Sequence, residues 1–107
     1  VLIGAAGNSP VTTPYYPAAY PEVMAVTAVE QGQVASYANR GSFVSLGAPG
    51  TSIIYFNGQP YYVSGTSAAA AFTTGIAAGY RDATGNSTAQ MQAFLRKNFG
   101  LKTTPTR

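Results

Sequence analysis

Apolar residues in this chain come in short unbroken runs rather than in strict alternation. Val1-Leu2-Ile3-Gly4-Ala5-Ala6 opens the chain, Val23-Met24-Ala25-Val26-Thr27-Ala28-Val29 follows, and Phe43-Val44-Ser45-Leu46 is the third run. Such runs are how strands buried on both faces read, the pattern of a parallel sheet covered by helices. Gly7-Asn8 ends the first run, and Gly47-Ala48-Pro49-Gly50 the third. Ile53-Ile54-Tyr55-Phe56 and Tyr61-Tyr62-Val63 flank Asn57-Gly58, a strong hairpin signal, and Pro60 implies an edge position or a longer loop.

Two segments carry helical patterns. Thr66 to Tyr80 has Ala at positions 68 to 71, and Ala71, Gly75 and Gly79 recur at a spacing of four. A stripe of small residues lets a helix approach a neighbouring backbone closely, so this helix is expected in the middle of a core. The second helix starts at Ser87, with Gln90 completing a capping box. Met91, Phe94 and Leu95 form its apolar stripe, Arg96 and Lys97 suit its C-terminal end, and Gly100 stops it. Residues 101–107 are expected to be a frayed tail. Strands alternating with helices predict an α/β fold, and 107 residues without repeats or a low-complexity linker allow one domain.

Composition narrows the chemistry. Charged residues are only 8% of the chain, too few for a disordered tail or a coiled coil. The net charge is +3, and five of the six basic residues lie between Arg81 and Arg107. A solvated helix face is expected there, and nucleic acid is not. The weakly polar stretch from Ala68 to Tyr80 is shorter than the ~18–20 residues of a membrane span. The absence of Cys excludes disulfides, thiolate metal sites and a Cys nucleophile. The absence of His leaves no imidazole base within these residues. The opening inside an apolar strand-like run leads us to expect a piece of a longer polypeptide.

Asn8 and Ser67 are the candidate reactive residues. Ser67 stands at the start of the first helix, where a cap is the ordinary role of Ser. The alternative is nucleophilic: backbone N–H groups and the helix dipole at that end can stabilise an oxyanion on an attacked carbonyl. Gly65 would let a substrate backbone approach. Asn8 follows a buried strand at its carboxyl end, where open α/β sheets place ligands, although it also suits a turn.

Taken together these segments resemble the subtilase family of serine peptidases. Ala5-Ala6-Gly7-Asn8 is similar to the family's oxyanion-hole segment, and Tyr16-Pro17-Ala18-Ala19-Tyr20-Pro21 through Val26 to its YPA-x-YP stretch. Gly41-Ser42-Phe43 through Ala48-Pro49-Gly50 looks like its S-x-G…APG strand. Ser64-Gly65-Thr66-Ser67 to Gly75 resembles its GTSMAAPHVAG signature. The likeness covers about residues 1–100 and corresponds to the C-terminal half of the family's catalytic domain. It implies an incomplete parallel sheet around a central small-residue helix.

The resemblance implies Ser67 as nucleophile and Asn8 as side-chain oxyanion donor, with Ala6 and Gly7 forming a pocket wall. Tyr15 falls where members carry Gly at the pocket floor, which implies a preference for small side chains before the cut. Tyr16-Pro17 matches a position that is often cis. The carbonyls of Ala18, Tyr20 and Val23 match a weak cation loop, so calcium is possible. Peptide or protein substrates and a secreted or extracytoplasmic location are also implied.

Departures accompany the likeness. Ala71 and Phe72 replace Pro-His, Ala68 replaces Met, and Ser64 stands where Asn is common. The family's catalytic Asp and His belong to its N-terminal half, so this chain alone is expected to be inactive. The main alternative is a truncated or degenerate module that binds or assembles, self-associating through open sheet edges. A sedolisin-like peptidase fits less well, because that family has an acidic residue where this chain has Asn8. An α/β-hydrolase elbow would need a second Gly after Ser67, and the Gly4–Gly7 segment is no nucleotide loop.

Overall fold

The computed structural model describes residues 1–101 and shows an α/β fold with a mixed sheet, a separate hairpin and two helices. Strand β1 (Leu2–Ala5) pairs in parallel with β2 (Val23–Glu30), joining Leu2 to Val23 and Ala5 to Val26. β3 (Gln33–Val34) turns back antiparallel onto the end of β2, and β4 (Leu46–Pro49) pairs in parallel with Val26 to Val29. Val26 therefore has Ala5 on one side and Leu46 on the other, which makes β2 the centre of the sheet. Its residues from Met24 to Ala28 are all buried.

β1 differs from the sequence expectation. It is half-exposed rather than covered on both faces, and Leu2 lies 58% open. The reason is topological: β1 has β2 on one side and no described strand on the other. The third strand lies three residues later than the apolar run predicts, over Leu46–Pro49. Phe43 instead occupies a turn closed by the Val44 N–H to the Gly41 carbonyl. Gly47 belongs inside β4 because a Cβ there would meet the side chains of Val29 and Leu101 at 2.6 and 2.7 Å.

β5 (Thr51–Phe56) and β6 (Gln59–Ser64) form the expected hairpin. Asn57 and Gly58 both have positive φ, 51° and 76°, the backbone that a two-residue turn between twisted strands requires. Pro60 faces Tyr55, one pair beyond the hydrogen-bonded pair at the turn, where a missing N–H breaks no ladder bond.

Helix α1 (Thr66–Thr84) runs four residues beyond the predicted end, to a left-handed cap at Gly85. It buries Thr66, Ala69, Thr73 and Ala77 against the sheet. The stripe of Ala71, Gly75 and Gly79 faces outward among the described residues, opposite the face that the sheet covers. Helix α2 (Thr88–Phe99) starts from the capping box: Ser87 Oγ accepts from the Gln90 N–H and the Gln90 side chain accepts from the Ser87 N–H. Met91 and Leu95 from α2 join Met24, Val26, Leu46 and Ala69 in the core. Each such Met or Leu side chain contributes roughly 1.5–3 kcal/mol by leaving water. The Tyr80 and Phe94 rings stack at 3.7 Å between the helices.

Leu101, the first residue of the expected tail, has its N–H 3.5 Å from the Ser45 carbonyl and its side chain against Gly47. The rest of that expectation, residues 102–107, lies outside the described residues. No described helix is long and apolar enough to cross a membrane.

Candidate functional site

The turn after β1 and the start of α1 are bound to each other. The Gly7 N–H donates to Thr66 Oγ1 at 3.0 Å, and the Thr66 N–H donates to Asn8 Oδ1 at 2.9 Å. Thr66 is buried, and its hydroxyl accepts from the loop. The N-cap itself is Gly65, so the helix has no side-chain cap. With Asn8 Oδ1 engaged by Thr66, the orientation of the amide is fixed and its Nδ2 donor is left for another acceptor.

Ser67 follows Thr66 directly. It is exposed, and its hydroxyl has no hydrogen-bond partner among the described residues. As the second residue of α1, it carries a backbone N–H that no intrahelical carbonyl can accept from. An exposed hydroxyl, a free helix-end N–H and a nearby amide Nδ2 are thus presented at one end of α1, where the helix dipole favours negative charge.

Glycines make the approach possible. Gly65 has φ 144°, and a Cβ there would sit 3.2 Å from Asn8 Nδ2. Gly7 has φ 113°, and a Cβ there would meet the amide of Asn39 and, at 2.7 Å, Tyr15 Cδ2. Tyr15 therefore stands against Gly7, beside the expected pocket wall. Ala6 is fully buried under the turn, its N–H bonded to the Val26 carbonyl at 2.9 Å.

One residue of this region carries no local signal in the sequence. Asn39 is fully buried and bonds the turn at several atoms. Its Nδ2 donates to the Ala6 carbonyl at 2.8 Å, its N–H to the Gly7 carbonyl at 2.8 Å, and its Oδ1 accepts from the Ser9 N–H at 2.8 Å. Thr27 Oγ1 donates to its carbonyl from the central strand. An Asn between Ala38 and Arg40 reads as a turn residue, and only the fold brings it under position 7.

A second polar cluster braces the entry to α1 from the hairpin side. The Gly65 N–H donates to the Gly50 carbonyl at 2.9 Å, and the Tyr37 hydroxyl packs against Gly50. Thr51 Oγ1 lies 2.9 Å from Glu30 Oε2 and 3.1 Å from Ser64 Oγ. Burial raises the Tyr37 phenol above its ordinary pKa, with the Glu30 charge and its hydrogen bond adding to the shift; the contact from Gly65 opposes them.

The Tyr16–Pro17 peptide bond is cis. In the loop that follows, the Tyr20 carbonyl accepts the Val23 N–H at 3.0 Å, so one of the three carbonyls expected of a cation loop is already engaged. Among the described residues no group of three Asp, Glu, His or Cys side chains is placed to hold a metal. Calcium takes 6–8 oxygen ligands. An ion here would rest largely on backbone carbonyls and water.

Comparison with known proteins gives one consistent result. The family model described as the subtilase family (Peptidase S8) matches residues 1–105. The chain is 43% identical over 81 residues to a thermophilic serine proteinase of Bacillus sp. strain AK1, covering 73% of this chain and 20% of the relative. It is 38% identical over 80 residues to thermitase of Thermoactinomyces vulgaris, covering 72% of this chain and 29% of thermitase. Among solved structures, a cold-adapted subtilisin-like serine proteinase superposes with a TM-score of 0.77 at 32% identity, over 87% of this chain and 36% of that one. The chain thus spans about a fifth of the first relative and about a third of the solved structure.

Proposed function

The chain belongs to the subtilase family of serine proteases, and from that premise we propose that it carries the nucleophile and the oxyanion site of a peptide-bond hydrolase. The observation that supports this reading most is the double hydrogen bond between the Gly7–Asn8 turn and Thr66, which sets an amide donor beside an exposed Ser67.

Ser67 Oγ attacks the carbonyl carbon of a peptide, forming a C–O bond while the C=O π pair moves onto oxygen. That oxyanion accepts from Asn8 Nδ2 and the Ser67 N–H at the positive end of α1. The Ser proton passes to an imidazole, which must come from outside these 107 residues because they contain no His. Collapse of the intermediate expels the amine, which takes that proton, and leaves an acyl-Ser67 ester for water to hydrolyse.

The outward Ala71–Gly75–Gly79 face of α1 and the unpaired side of β1 are the surfaces on which the imidazole-bearing part of the domain would pack. Tyr15 against Gly7 supports a shallow pocket that favours small side chains before the cut. An extracytoplasmic location accords with relatives described as extracellular proteases.

A second reading, a non-catalytic module that assembles through its open surfaces, has its own supporting observation. Ile53, Ile54, Tyr55, Phe56, Tyr61 and Tyr62 of the hairpin are all exposed. A fluorophosphonate probe separates the two. The peptidase reading expects labelling of the complete domain that Ser67→Ala removes, with none on residues 1–107 alone. Absence of labelling on the complete domain supports the non-catalytic module.

A further inference from the structure

We propose that Asn39 is the positioning residue of this site: it holds the Ala6–Ser9 turn in the one conformation that puts the Asn8 amide beside the end of α1. This rests on the peptidase reading for its functional consequence and on the hydrogen-bond geometry for its structural one.

Beyond the Ala6 N–H bond to Val26 and the clasp at Thr66, Asn39 is what ties the turn down. Gly7 has a positive φ of 113°, a conformation that costs the chain entropy to fix, and Asn8 and Ser9 are both exposed. Apart from the clasp at Thr66, its backbone is tied mainly to Asn39. That one residue takes the Ala6 carbonyl, the Gly7 carbonyl and the Ser9 N–H, on both sides of Asn8. Its Oδ1 also lies 3.4 Å from the Val11 N. Asn39 is itself immobilised, being fully buried and bonded through its carbonyl to Thr27 of the central strand. The chain of contact therefore runs from the most buried strand to an exposed amide donor, and no atom of Asn39 needs to touch substrate.

The side chain must be an amide for this. One end donates to a carbonyl and the other accepts from an N–H, a pairing that neither a carboxylate nor a hydroxyl reproduces at that span. The Cβ that any residue but Gly would carry at position 7 would strike the Asn39 amide, so Gly7 and Asn39 form one unit.

The test is a double-mutant cycle of Asn39→Ala with Asn8→Ala in the full-length protein that contains this chain. Activity is read as kcat per Ser67 titrated with a fluorophosphonate, and hydrogen exchange is followed over residues 6–11. Asn39→Ala is expected to lower kcat by up to about 10²-fold with KM little changed, since a misplacement near 1 Å costs that much. The loss should shrink to no more than about threefold in the Asn8→Ala background, because the two residues act as one. Exchange over residues 6–11 should rise at least about tenfold as the turn opens locally. A kcat loss of equal size in both backgrounds overturns the proposal, and so does unchanged exchange.

Asn39→Asp guards against a variant that fails to fold. It keeps an acceptor for Ser9 and replaces the donor to Ala6 by a second oxygen, so it tests the two ends of the amide apart at the cost of a buried carboxyl. It is expected to keep Ser9 protected to within about threefold of the parent. Loss of that protection in a folded Asp variant counts against the proposal. Should the parent show no turnover dependent on Ser67, the peptidase reading fails, and the exchange comparison still decides whether Asn39 holds the turn.

Discussion

Asn8 and Thr66, 58 positions apart in sequence, are joined by a 2.9 Å hydrogen bond from the Thr66 N–H to Asn8 Oδ1, and the Thr66 hydroxyl returns the contact at Gly7. Two termini of regular structure thus satisfy each other, the carboxyl end of β1 and the amino end of α1. Thr66→Val keeps the shape of the side chain but leaves the Gly7 N–H without its acceptor. Because that donor is partly buried, we expect a loss of about 1–3 kcal/mol, read from denaturant unfolding. Thr66→Ser should restore most of it.

Asn8→Ala removes the amide donor from the site. In the complete domain we expect kcat to fall by about 10²–10³, with KM nearly unchanged. That scale is the one measured for loss of an oxyanion donor in subtilisin, a member of this family. A fall in affinity at constant kcat would place Asn8 in substrate binding instead.

Tyr37 is expected to make the fold less stable at alkaline pH. Burial, then the Glu30 charge and its hydrogen bond, raise its pKa in the folded state, so folding favours the neutral phenol. The corresponding stability is fully present below the unfolded value near 10 and is lost as pH rises through the raised folded value. Thermal unfolding between pH 8 and pH 11 (roughly the window around that value) should show a decline that is shallower in Tyr37→Phe. An identical slope in the two proteins would remove Tyr37 as the cause.

Ser87 caps α2 through a reciprocal pair with Gln90. Ser87→Ala should cost about 0.5–2 kcal/mol in unfolding free energy. Ser87→Asp should cost far less, because its carboxylate can accept the same N–H. The effect should reach the core, since α2 supplies Met91 and Leu95 to it.

Local chemistry made much of this legible in advance. The Asn57-Gly58 turn, the Ser87 capping box and the buried β2 depend on neighbours a few residues apart, and each stands where its pattern put it. The errors share one cause. The apolar run at residues 43–46 promised a strand, but partner register carried β4 on to Pro49. Which face of α1 meets the sheet was not legible either: the sheet takes the Thr66–Ala69–Thr73–Ala77 face and leaves the small stripe outward. Leu2 reads as core and lies open at the sheet's edge.

The amino-acid order alone determined the class of fold, the two motifs that hold Asn8 and Ser67, and the lack of any His within these residues. These follow from composition and short-range pattern. Tertiary structure alone decided that Asn39 would lie under the turn, that Thr66 would clasp it, and which helix face would stay open. The physical reason is that a buried polar group must find its partner wherever the fold brings one, and sequence separation carries no record of that distance.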